Sequence, residues 1–155
     1  MIVRPTTPQL LRDVRKELAT VVVPEVHSAT ARVALEQIDI ILEQCAVRSE
    51  AEVAWIVEEI AEIDAFATDV ITATGDESTT AALQAARDNA SGSLLLDPIA
   101  DDYNRISEAL SCAIEACLAR PEQDQLLRRG VEILRSRRGE RETVIRANWR
   151  LVGRG

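Results

Sequence analysis

Aromatic side chains are nearly missing from this sequence: Trp55, Phe66, Tyr103 and Trp149 are the whole set, 3% of the chain. With 46% hydrophobic residues and so few rings, the core must be built from Ala, Val, Ile and Leu. Glycine and proline are sparse as well, six and five residues in 155, which argues against an all-β chain full of turns and against a disordered one. Histidine occurs once, at His27, too few for a histidine-based zinc site. The three cysteines, Cys45, Cys112 and Cys117, are an odd, small set unlike a disulfide framework. Cys112 and Cys117 stand five residues apart, about 140° around a helix, and cannot share a metal. No apolar run approaches the roughly 20 residues of a membrane span. The first apolar segment is broken by Arg4, Pro5, Arg12 and Asp13, unlike a signal peptide. Patterns of the Gly-x-Ser-x-Gly, Walker and Gly-x-Gly-x-x-Gly types are absent. These gaps leave a soluble cytoplasmic protein without recognisable catalytic machinery as the expectation.

What is present is helical periodicity. The chain reads as all-α, an up-down bundle of five or six helices forming a single domain over residues 1–155. Its core lies within 7–138, and 139–155 form a basic C-terminal segment that either extends the last helix past Gly139 or folds back. Thr7-Pro8 caps a first helix with the stripe Leu10, Leu11, Val14, Leu18, Val21 and Val22, which Pro24 ends. Pro24 then opens a second helix to about Ala46, with His27, Ala34, Ile38, Ile41 and Cys45 in its apolar arc. Ser49 and Glu52 form a capping box for a third helix that Gly75 terminates. A turn at Val47-Arg48 would make helices two and three a hairpin and bring His27 within about one turn of Asp64. Residues 76–90 predict a short, weakly anchored helix, and Ser91-Gly92-Ser93 a flexible break. Helix five follows Asp97-Pro98 with Ile99, Tyr103, Ile106, Leu110, Ala113, Ile114 and Cys117, and Pro121 opens helix six.

Three sets of residues are functional candidates. Helix three puts Val53, Ile56, Ile60, Ile63, Ala67, Val70 and Ile71 on a core stripe, leaving Trp55 and Phe66 on the far side with Glu59 and Glu62 between them. An apolar patch with a polar rim fits a protein partner or a second copy, unless Trp149 and Val152 or helix four cover it. Second, Asp64 projects among apolar positions, where His27, Gln37 and Tyr103 would join it in a buried polar network or small-ligand site. Third, Glu59 and Glu62, with Glu58 adjacent, supply the Glu-x-x-Glu half of the magnesium site of an all-α nucleotide pyrophosphohydrolase. The other half is missing: Asp97, Asp101 and Asp102 do not reproduce a Glu-x-x-Asp. No catalytic residue, metal or cofactor is assigned. Residues 120–155 carry ten arginines against five acids, so the rest of the chain holds −13 of the net −8. Without aromatic-basic signatures, the basic end predicts pairing with acidic faces ahead of nucleic acid.

The N-terminal third, with Arg4-Pro5, Leu10-Leu11, Val14-Arg15, Val23-Pro24 and Arg32-Val33-Ala34, resembles the opening of an uncharacterised bacterial helical family. Its members are encoded beside aminoglycoside-phosphotransferase-like kinases and acyl-CoA dehydrogenases. The family's Phe-His ahead of Arg-Val-Ala and its Asn after it are replaced here by Ala29, Thr30 and Glu36. The resemblance implies an accessory helical protein that acts beside a kinase.

Overall fold

A computed structural model of the chain describes residues 4–136. The basic segment 139–155, the course of the chain past Gly139, and Trp149 and Val152 lie outside those residues. The fold is all-α, with no strand among the described residues. Among the described residues six α-helices follow in order: α1 Thr7–Glu17, α2 Val23–Glu25, α3 Ala29–Thr74, α4 Glu77–Asp88, α5 Leu96–Leu118 and α6 Asp124–Ser136. No helix among the described residues is long and apolar enough to cross a membrane. The chain packs as two compact units, residues 4–52 and 53–136 of the described part, and the division falls inside α3.

The first unit is a helical hairpin. α1 starts one residue earlier than the sequence suggests, capped at Thr6, whose N–H donates to Gln9 Oε1 at 2.8 Å. Pro24 does not end it. The chain widens into a π-helical stretch, Leu18–Val22, in which the Val23 N–H reaches back to the Leu18 carbonyl, and then runs on through α2. A proline lacks the N–H that a helix interior needs, and a wider turn just ahead of it redistributes the carbonyls that would have been served. Three residues, Val26 to Ser28, then turn the chain into α3. The seam is held by Arg15, whose Nε and Nη2 donate to both oxygens of Asp39 at 2.8 and 3.0 Å, with Glu43 a further partner, and by Arg12, which donates to Glu50 at 2.8 Å. The Arg15 hydrogen bonds hold the Asp39 carboxyl below its ordinary range and raise the guanidinium in turn.

No turn forms at Val47-Arg48: α3 is one helix of 46 residues. The reason is local. The Ser49 hydroxyl donates back to the Ala46 carbonyl at 3.0 Å, a bond made inside a helix and not at its start, and Glu52 pairs with Arg48 one turn earlier. Both members of the expected capping box are therefore occupied, and no glycine or proline lies between Ala29 and Thr74 to break the run. Gly75 does end it, at φ +64°.

In the second unit α5 packs against both α4 and α6. Ile63, Phe66, Ala67 and Val70 of α3, Leu83 and Ala86 of α4, Ile106, Leu110, Ala113 and Cys117 of α5, and Ile133 of α6 form its core. α4 is better anchored than its small side chains suggest. Those side chains let it approach closely, Leu83 and Ala86 are buried, and Arg87 makes a two-pronged bond to Asp64, both contacts 2.7 Å, plus one to Thr68. The Ser91–Ser93 stretch is not loose either: Asp102 accepts from the Ser91 N–H and hydroxyl, and the serine oxygens in turn accept from Ser93 and Leu95 N–H groups.

Asp76 caps α4 by accepting from the Thr79 N–H at 2.9 Å and its hydroxyl at 2.8 Å. These bonds hold its carboxyl below the ordinary value. A depressed folded pKa contributes stability in full above the unfolded value and loses it as pH falls through the folded one. Asp76→Ala is therefore expected to cost about 1 kcal/mol at neutral pH. In urea unfolding repeated at falling pH, the gap to wild type should narrow below about pH 3.9; a gap independent of acid would show that the charge has no part in the cap.

Candidate functional site

The hairpin of the first unit leaves one side unfinished. On α1, Leu10 and Val14 lie within about 40° of each other, about 120° back from Arg15, and Val21 follows inside the wider turn. On α3, Ala34, Ile38, Ile41 and Cys45 span about 60°, centred about 130° back from Asp39. Arg15 and Asp39 meet across the seam and the helices run antiparallel, so equal backward rotations carry both rows to the same side of the hairpin. The large residues there are strongly exposed: Leu10 50%, Val14 48%, Val21 58%, Ile38 42% and Ile41 46%. Ala34 and Cys45 are exposed too. A hairpin of two helices cannot cover two amphipathic stripes by itself, because each helix shields only the sector turned toward its neighbour.

The patch predicted on helix three takes a different form. Phe66 is completely buried and Glu59 nearly so. The Phe66 ring sits on α6, where a Cβ added at Gly130 would come within 2.8 Å of its tip, and the Arg129 guanidinium stacks at 5.8 Å from the ring centre while pairing with Asp69. The buried arc of α3 is thus centred on Ile63 and Val70 and reaches Phe66, while Val57 is 41% exposed. Trp55 is half-buried and Glu62 exposed, so the four residues do not make a common outer surface.

The proposed polar cluster is divided between the two units. His27 is exposed in the connection ahead of α3 and outside any apolar arc, and Gln37 belongs with it to the first unit. In the second unit Asp64 turns to Arg87, whereas Tyr103 donates to Glu59 at 2.6 Å, about 140° away around α3. The register that joined His27 to Asp64 depended on the turn at Val47-Arg48. Glu59, half of the magnesium motif, is engaged with Tyr103, and no group of three His, Cys, Asp or Glu residues is placed to hold a metal ion among the described residues.

Within the second unit lies an open cleft of about 410 Å³. Its floor is Val57, Ile60, Ile99 and Ile106, and Leu94 stands at its rim 70% exposed. Its charged wall is the Asp64–Arg87 pair, in which each group already serves the other. The cleft is not legible in the sequence, where Ser91-Gly92-Ser93 reads as a flexible break and nothing marks Leu94 as the rim of a site.

No protein-family model, curated protein or solved structure shows a significant match to the chain.

Proposed function

We propose that this is a small accessory protein whose work is to bind another protein, and that the binding surface is the open side of the α1/α3 hairpin. The observation that carries the reading is the single-sided row of exposed Leu10, Val14, Ile38 and Ile41 on two helices already fixed by ion pairs. Isolated exposed aliphatic residues are ordinary, but an aligned set on both arms of a hairpin is the kind of patch that marks an interaction site. A cytoplasmic setting belongs to the same proposal, as does, through the N-terminal resemblance, a bacterial protein that works beside a phosphotransferase-like kinase. A pyrophosphohydrolase reading is supported less well, since Glu59 accepts from Tyr103 in a buried place.

The test is site-specific photo-crosslinking in cells producing the chain, with a benzophenone side chain at position 14, 38 or 16. Protein adducts at 14 and 38, absent at Lys16 and lost on Ile41→Asp, are expected. Adducts at none of the positions, or equally at all three, would end the proposal.

A further inference from the structure

We infer that the protein seated on the open hairpin face is a second copy of this chain, the two hairpins closing one four-helix bundle; this rests on the reading of that face as a protein-binding surface. A four-helix bundle needs four amphipathic helices in alternating directions. The hairpin supplies two, with both apolar rows on one side, and a twofold axis lying between the two faces and parallel to the helices supplies the other two with matching length and spacing. An isologous contact of this kind requires only that the face complement itself.

Charge favours the same occupant. Residues 4–25 carry four cations against three acids, whereas residues 29–52 carry two against five. In a twofold bundle each α1 neighbours α3 of its own chain and α3 of the copy, so unlike charge balances sit side by side and like helices lie diagonally. Five aliphatic residues exposed by 42% to 58%, with Ala34 and Cys45, present on the order of 500 Å² per copy, about 1,000 Å² for the pair, which stands at the lower threshold for a specific interface.

Cys45 on this face is exposed, whereas Cys117 is buried, so one thiol reports on occupancy. The full-length chain is examined by sedimentation equilibrium from dilute to concentrated solution, with alkylation rates of Cys45 read by peptide mass spectrometry. A mass of twice one chain is expected, with Cys45 alkylation slowing as concentration rises. Ile38→Asp and Val14→Asp should each weaken association on the order of a hundredfold, the size of a central interface position, with helical circular dichroism retained. A wild type that stays monomeric, or a dimer indifferent to both substitutions, would overturn the inference. Should either variant unfold, wild-type Cys45 decides: slowing on concentration supports the second copy, and an unchanged rate refutes it. A monomeric wild type that still yields position-38 adducts to a different protein would refute the second copy and leave the binding surface standing.

Discussion

Replacing Phe66 by alanine is expected to lower the unfolding free energy by about 3–5 kcal/mol, the range for emptying a ring-sized site in a closed core. The ring is fully buried, and α6 meets it at Gly130. The reciprocal change is the sharper test. Alanine in place of a helical glycine ordinarily gains about 0.5–1 kcal/mol. Here the added Cβ would stand 2.8 Å from Phe66 Cζ and 2.9 Å from Ile114 Cγ1, contacts that a packed core relieves only by moving. Gly130→Ala is therefore expected to destabilise by about 1–3 kcal/mol, against its propensity. Combined with Phe66→Ala it should cost less than the sum, because the new methyl enters the space the ring left. Chemical denaturation of the four proteins checks all three statements. A Gly130→Ala protein as stable as wild type would mean that α6 does not rest on Phe66.

Glu50→Pro is expected to cost about 3 kcal/mol or more, because a proline inside a helix removes one backbone bond and presses its ring on the carbonyl four residues back. That residue is Ala46, which is fully buried and already accepts the Ser49 hydroxyl. Had the chain turned at Val47-Arg48, position 50 would fall in the first turn of a new helix, where proline is welcome. Glu50→Ala is the control, since it removes only the half-exposed pair with Arg12, a loss of about 0–1 kcal/mol. Thermal and urea unfolding of the two variants should differ widely; similar stabilities would restore the turn.

These two experiments fall where sequence reading and structure part. The helical class, the Gly75 stop and the α5 positions Ile99, Ile106, Leu110, Ala113 and Cys117 were legible, because a stripe of apolar residues at helical spacing fixes both the element and its inward side. The boundary at Ser49 was not. A capping box is a pattern of two side chains, and it fails when each finds another partner, as Ser49 does in Ala46 and Glu52 in Arg48. The rotation of α3 was mistaken because its apolar arc is broad, and only the placement of α6 decides which edge is covered. The signal available was Gly130, a glycine inside an amphipathic helix, which often marks close approach of another group. The turn at Val47-Arg48 was the whole ground for placing His27 beside Asp64, and the structure gives Asp64 to Arg87 and Tyr103 to Glu59. The hairpin face was visible as a list of residues, yet its exposure follows from the pairing of helices, which no stripe reveals alone.

The shared helix also governs how the gene can be cut. A truncation between Glu52 and Val53, where the two units divide, would sever α3 in mid-course. It would leave four backbone donors on one fragment and four acceptors on the other without intrahelical partners. The chain's own stop is Gly75, and its own start is the Val26–Ser28 connection. Two fragments that each keep the helix whole must therefore overlap by all 46 of its residues, so the halves cannot be exchanged, fused or expressed as adjoining pieces in the manner of domains joined by a linker.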